Sequence, residues 1–234
     1  MREDLIAAIL SAARPGVLAV TGGGSEAISR LLGTPGASGT VLEAIVPYST
    51  ASLVSWLGHE PLKACDEATA RAMAMRAFGR AGELDRSSNE QRFGLGCTAS
   101  LATDRPKRGD HRAHIAVQTA TATSRVTLRF EKGRFTRPEE EAAVTHAVIA
   151  TLADALGVHT LDLSRTPPGI EAEHDSIVAS DEQTALLLGQ RDAVAMNDAP
   201  LPGEAQVCLS AAGVLQPAAR RPRGDRPDRR CTNR

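Results

Sequence analysis

The run Val17-Leu18-Ala19-Val20-Thr21 breaks into Gly22-Gly23-Gly24-Ser25 and then into a helical pattern with Ile28, Leu31 and Leu32 on one face, stopped by Gly33 and Pro35. This is β then α, sealed at both ends, and it marks the chain as an α/β protein. Glycines permit positive φ and close backbone approach, and a helix that opens there offers free N–H groups. A phosphate or a carboxylate is therefore the expected guest of the turn. The plainer alternative is a tight connection that holds nothing. Aromatic residues make up only 3% of the chain, so the core must be built from Ala, Leu, Val and Ile, which suits helices stacked on a sheet.

Leu5, Ile6, Ile9 and Leu10 sit at helical spacing and end before Pro15-Gly16, which predicts a helix ahead of the first strand. Val41, Leu42, Ile45 and Val46 predict a second strand ended by Pro47-Tyr48-Ser49, and Leu53, Trp56 and Leu57 a short helix closed by Gly58. Asp66 is placed to cap a helix on which Ala70, Met73, Ala74, Ala77, Phe78 and Ala81 recur near a 3.6 period, a core-facing pattern. Phe93-Gly94-Leu95-Gly96-Cys97-Thr98 reads as a third strand whose glycines imply that another backbone or a ligand lies close by. A polar loop through Asp104 and Arg112 leads to strands over 114–122 and 125–130. Pro138 and the acids Glu139, Glu140 and Glu141 then open a helix with Val144, Val148, Leu152, Ala155 and Leu156 on one face, stopped by Gly157.

These patterns predict one α/β domain, helices stacked on a sheet, over residues 1–157. Residues 158–206 thin to Pro167-Pro168-Gly169 and a run of acids, and read as a linker with one short helix from Ser180, where Gln183 completes a capping box. Residues 207–234 open on a strand-like Val207-Cys208-Leu209-Ser210. The last 15 residues carry seven arginines against two aspartates, a charge of +5 that leaves −6 for the rest. Such a tail cannot bury a face and is expected to be disordered. No aromatic interleaves its arginines, so no specific nucleic acid partner is expected. Cys65, Cys97, Cys208 and Cys231 lack CxxC spacing, which indicates neither a zinc site nor a disulfide framework, and reduced thiols suit the cytoplasm. No apolar run approaches the roughly 18 residues a membrane span needs, so no membrane partner is expected.

Strand ends at Thr21, at Pro47-Tyr48-Ser49 and at Thr98 all precede turns, and ligands of α/β sheets bind outside the carboxyl ends of strands. These ends could converge with the basic loop of Arg105, Lys107, Arg108, His111 and Arg112 on a phosphorylated ligand, against the alternative of a solvated, charged excursion. Gly23-Gly24-Ser25-Glu26-Ala27 resembles a degenerate nucleophile elbow, though a helix cap explains Ser25 without chemistry. His111 and His114 lie near acids without further ligands, so no metal is expected, and nothing calls for a cofactor.

Thr21-Gly22-Gly23, Thr34-Pro35-Gly36-Ala37-Ser38, Ala44-Ile45-Val46-Pro47-Tyr48-Ser49, Trp56-Leu57-Gly58 and Thr98, in that order, resemble the CinA C-terminal domain, the nicotinamide-nucleotide deamidase family, over about residues 1–157. The resemblance implies a three-layer α/β/α fold with a mixed sheet, often dimeric, that hydrolyses the carboxamide of nicotinamide mononucleotide to the acid with a serine from a Glu-Ser-Cys-Thr-Gly-Gly motif. The matching positions here read Leu18-Ala19-Val20-Thr21-Gly22-Gly23, so the serine falls on Ala19. The family's Tyr-Ser-Asn-Glu-Ala-Lys becomes Tyr48-Ser49-Thr50-Ala51-Ser52-Leu53, so its lysine falls on Leu53, and Thr-Gly-Ile-Ala-Gly-Pro becomes Thr98-Ala99-Ser100-Leu101-Ala102-Thr103. A divergent branch fused to a nucleotidyltransferase domain resembles Thr98-Ala99-Ser100-Leu101-Ala102 and the loop from Arg105 to Arg112 more closely. Alanine cannot attack a carbonyl and leucine cannot serve as base or cation. The expectation is a catalytically degenerate, deamidase-like domain that binds a small pyridine nucleotide. Thr21, Gly22, Gly23, Tyr48, Ser49 and Thr98 would line its site, with Arg105, Arg108 and His111 reaching for phosphate and a homodimer as the assembly the family suggests. The alternatives are an active hydrolase using Ser25, Ser49 or Ser100, and a scaffold without ligand.

In two-domain relatives the linker leads to a strand and a Gly-Ser-Phe-Asn-Pro-Leu-His-x-Gly-His motif that binds nucleotide phosphates. Residues 214–223, Val-Leu-Gln-Pro-Ala-Ala-Arg-Arg-Pro-Arg, can be encoded so that the same bases read one nucleotide later spell Ser-Phe-Asn-Pro-Leu-His-Asp-Gly-His. The expectation is that the chain after about Ser210 is out of frame, that residues 207–234 keep only the start of a transferase domain, and that transferase activity is missing.

Overall fold

The computed structural model describes residues 2–86, 91–104, 108–190, 193–195, 207–210 and 215–217. It divides into two units, Met1–Val178 and Ala179–Arg234, each with its own sheet. The first unit runs α1 (Arg2–Ser11), β1 (Gly16–Thr21), α2 (Ser25–Leu32), β2 (Val41–Ile45), α3 (Thr50–Leu57), α4 (Glu67–Leu84), β3 (Phe93–Ser100), β4 (His111–Gln118), β5 (Ala122–Phe130), α5 (Arg137–Ala155) and β6 (Ile170–Val178). Its six strands lie in the order β2-β1-β3-β4-β5-β6. β1 is parallel to both neighbours, and every pair from β3 outward is antiparallel. The mixed α/β sheet expected from the sequence is the one that forms.

The two faces of β1 separate the layers. Leu18 and Val20 join the core of α1, α2 and α5, whereas Val17 and Ala19 pack toward α3 and α4, as alternation along a strand requires. α4 crosses β1, β3 and β4 at very short range. A Cβ at Gly94 would stand 2.1 Å from the Phe78 nitrogen, and one at Gly96 would stand 2.2 Å from the Ala70 oxygen. The strand glycines thus face a helix backbone, with Ala70 and Ala74 completing the small-residue contact.

β6 occupies the stretch read as linker, and its composition explains why it was not legible there. It is an edge strand, mostly exposed, and its acids face arginines of β5. Arg129 Nη1 donates to Glu173 Oε1 at 2.7 Å and Arg125 pairs with Asp175, so the strand needs little apolar alternation. β4 likewise starts at His111, which the sequence reading placed in the preceding loop.

In the second unit α6 (Asp181–Leu187) carries the expected capping box: Ser180 N donates to Gln183 Oε1 at 2.9 Å and Gln183 N to Ser180 Oγ at 3.3 Å. β7 (Ala193–Ala195), β8 (Val207–Ser210) and β9 (Leu215–Pro217) form an antiparallel sheet with β8 in the middle. β8 is the strand foreseen. β9 lies ahead of the arginine-rich stretch expected to be disordered and pairs with β8. The arginine-rich end beyond residue 217, together with Arg105 and Lys107, lies outside the described residues. Among the described residues no helix is long and apolar enough to cross a membrane.

Candidate functional site

The parallel strands β1, β2 and β3 deliver their carboxyl ends to one cleft of about 280 Å³. It is lined by Thr21 and Gly22 after β1, Pro47, Tyr48 and Ser49 after β2, Thr50 and Leu53 of α3, Ala64 and Cys65 before α4, and Thr98 and Ala99 of β3. The arrangement follows from topology, because a parallel strand must leave its end to turn back through a helix, and neighbouring turns leave a crevice. Thr21, Gly22, Tyr48, Ser49 and Thr98, far apart in sequence, meet here.

The cleft's polar groups are fixed by local bonds. Thr21 Oγ1 donates to the Pro47 carbonyl at 3.0 Å, tying the end of β1 to the β2–α3 loop. Thr98 Oγ1 donates to the Ala64 carbonyl at 2.7 Å, tying β3 to the segment before α4. Ser49 is the N-cap of α3 and accepts from Ser52 N at 3.1 Å. Tyr48 stands 73% exposed at the mouth. Cys65 is half-buried, with its carbonyl held by Arg112 Nη2 at 3.2 Å and its thiol near the carbonyls of Thr98 and Arg112. Burial pushes the Cys65 thiol above its ordinary pKa, against a smaller opposing pull from Arg112.

The glycine turn is built differently from the sequence expectation. Gly22 and Gly24 have φ of 76° and 85°, and a Cβ on Gly22 would stand 1.9 Å from the Ala99 oxygen. Gly23 faces Leu101 Cδ1 at 2.6 Å from an added Cβ, so its smallness serves packing against the chain after β3, and it is not among the cleft-lining residues. The anion at the start of α2 is the protein's own carboxylate. Glu141 Oε1 of α5 accepts from Ser25 Oγ at 3.2 Å and from Glu26 N at 3.4 Å, and Arg137 Nη2 donates to the Gly22 carbonyl at 3.0 Å.

His111 is also engaged. Its Nδ1 lies 2.7 Å from Glu140 Oε1, and the other oxygen of this fully buried carboxylate accepts from Ala102 N at 2.6 Å. Arg108 is exposed, and its carbonyl accepts from Lys132 Nζ at 2.8 Å. Ser100 lies opposite Arg112 in the β3–β4 pairing. None of His111, Arg108, Ser25 or Ser100 lines the cleft. Sequence reasoning missed Ala64, Cys65 and the roles of Glu140 and Glu141. A thiol one residue ahead of the Asp66 cap carries no local signal, and three acids in a helix's first turn read as dipole partners until the fold shows what they touch.

A mixed six-stranded sheet between helical layers, open in a cleft at its parallel carboxyl ends, defines a three-layer α/β/α domain. More narrowly, the fold is that of solved structures of the competence/damage-inducible, or CinA, superfamily. One is the competence/damage inducible protein CihA from Agrobacterium tumefaciens, at 19% identity and a TM-score of 0.52, matched over 67% of this chain and 95% of that one. Another is a competence-damaged (CinA) superfamily protein from Escherichia coli, at 16% identity and a TM-score of 0.55, over 67% of this chain and 91% of that one. A third, from Enterobacter asburiae, has 16% identity and a TM-score of 0.51, over 67% and 94%. No family model and no curated protein matches the sequence.

Proposed function

We propose that this cleft binds a pyridine nucleotide and does not hydrolyse it. One observation carries the reading. Ala19 and Leu53, the positions where the sequence resemblance puts a serine nucleophile and a lysine, pack together with Met73 in a single apolar cluster. Two positions separated along the chain but gathered in one cluster are what a nucleophile and its activating group would require, and here both are hydrocarbon. Leu53 also lines the cleft, whereas Ala19 is fully buried behind the lining.

The groups in the cleft that could still attack are poorly placed to do so. Ser49 Oγ is spent on capping α3, and burial keeps the Cys65 thiol away from its thiolate. Thr21, Gly22, Tyr48, Ser49 and Thr98 form the binding surface, with the Tyr48 ring at the mouth as a face for a flat heterocycle. Calorimetry with nicotinamide mononucleotide, run beside an ammonia-release assay on the full chain, tests the reading. Heat of binding without ammonia is the expected result. Ammonia release restores the hydrolase, and the absence of both leaves a scaffold.

A further inference from the structure

The geometry points to the outer edge of β6 as a docking site for an extended, basic peptide that joins the sheet as a further strand. This surface lies on β6 and not at the cleft, and what the cleft binds has no bearing on it.

Among the described residues β6 ends the sheet, and no strand pairs with its outer edge. Every second residue of such a strand directs its N–H and C=O away from the sheet, and natural edges are usually blunted by lysine, proline, a bulge or brevity. β6 has none of these. It runs nine residues, Ile170–Val178, with no lysine or proline among them, and pairs with β5 along its whole length without a register shift. The strand is also anchored, since His174 Nε2 lies 3.0 Å from Ser124 Oγ and 3.7 Å from Asp154 Oδ2 of α5. An open edge that is long, regular and anchored is a template for strand addition.

Charge selects the occupant. Glu171, Glu173 and Asp175 alternate along the strand and so share one face, where Glu173 and Asp175 stay 67% and 60% exposed in spite of their pairs with Arg129 and Arg125. A cavity of about 230 Å³ opens there, lined by Glu67, Glu173 and Asp175 against the single guanidinium of Arg125. Three carboxylates to one cation leave that wall negative. A second copy of β6 fits it poorly. A two-fold axis through any of residues 172–175 sets an acid directly opposite an acid, as Glu173 against Asp175 when the axis passes through His174, and like charges placed so destabilise the pairing. A strand with lysine or arginine at alternate positions instead continues the row from the arginines of β5 through the acids of β6 with alternating sign, and the cavity receives one of its long side chains. Its intervening residues meet Ala172, His174 and Ser176, which small or β-branched residues suit.

The test uses the full-length protein and fluorescence anisotropy with short labelled peptides in which valine alternates with lysine, and with the same peptides carrying glutamate in place of lysine. The lysine peptide should bind at least about tenfold more tightly than the glutamate peptide. N-methylation blocks the backbone donors on one edge of a strand, so of two lysine peptides methylated on the lysines or on the valines, one should lose binding and the other keep it. Glu171→Gln, Glu173→Gln and Asp175→Asn combined should weaken the lysine peptide at least about tenfold. Thermal melts report whether that variant folds, and where it does not, the wild-type peptide comparisons decide the matter. Equal affinity for the lysine and glutamate peptides overturns the proposal, and so does binding indifferent to methylation on either set, which leaves charge attraction without strand addition. A dimer of the full chain that protects residues 170–178 from hydrogen exchange and excludes the lysine peptide gives the edge to a second copy and overturns it as well.

Discussion

Gly22 shows how much one backbone atom decides. Its φ of 76° lies in the region L residues avoid, and an added Cβ would overlap the Ala99 carbonyl, so strain and collision act together. Gly22→Ala should lower the free energy of unfolding by about 2–4 kcal/mol in urea titration, because β1 is paired to β3 up to Thr21 and Thr98, and Ala99 is held on its other side by β4. Arg108 makes the opposite case. On charge alone its guanidinium is expected to reach a ligand phosphate, worth about 1.5–3 kcal/mol. It is exposed and outside the cleft lining, and Arg108→Ala should change the affinity for nicotinamide mononucleotide by less than about twofold. A tenfold loss in calorimetry would return phosphate recognition to that loop.

At the scale of elements, the approach of α4 to β3 holds one face of the sheet together. Helix and sheet ordinarily keep a side chain's thickness between them, and here Gly94 and Gly96 remove that spacer. A methyl on Gly96 would meet the Ala70 oxygen, the Ala74 nitrogen and Met73 Cβ, none of which is the end of a flexible side chain. Gly96→Ala should therefore cost about 3 kcal/mol or more, read from the denaturation midpoint, and should also weaken ligand binding, since the chain just before α4 supplies Ala64 and Cys65 to the cleft. On the other face α5 is fastened at its start. Glu140 reaches His111 and Ala102, and Glu141 reaches the start of α2, so one helical turn braces β4, the chain after β3 and the glycine turn.

For the whole molecule, pH is the simplest global probe. His114 is buried on the sheet, its Nδ1 3.0 Å from Thr127 Oγ1. Burial lowers its pKa first and Arg112 second, with a smaller push from Arg129, while Asp66 and Glu67 act the other way. A histidine depressed in the native state binds its proton more readily when unfolded. Its contribution to stability is therefore complete above the unfolded value of about 6.5 and is lost as pH falls below it. The melting temperature should fall between about pH 7 and pH 5, and His114→Gln should flatten part of that fall; parallel curves for the two proteins would remove His114 as the cause. The out-of-frame reading of the chain end is decided by the gene. Sequencing should show a frame one nucleotide on from codon 214 that spells Ser-Phe-Asn-Pro-Leu-His-Asp-Gly-His and stays open into a nucleotide-binding domain.

Caps, turns and apolar periods act between residues a few positions apart, so the sequence by itself determined the order of strands and helices from α1 to α5, the glycine turn after β1, the Ser180 cap and the strand ends that line the cleft. The family resemblance pointed to Ala19 and Leu53 as the positions where a serine and a lysine are expected. Only the tertiary structure decided what lies between distant segments: that Ala19 and Leu53 share one apolar cluster, that Cys65 enters the cleft, that Glu141 fills the anion site of a helix 115 or more residues away, and that the acids of β6 make an edge strand. The physical reason is that charge and hydrogen bonding carry no address in the sequence. A carboxylate serves equally well as a helix-dipole partner, a histidine's mate or a surrogate ligand, and the packing of the apolar layers, fixed by the local patterns, is what brings one of those partners within 3 Å.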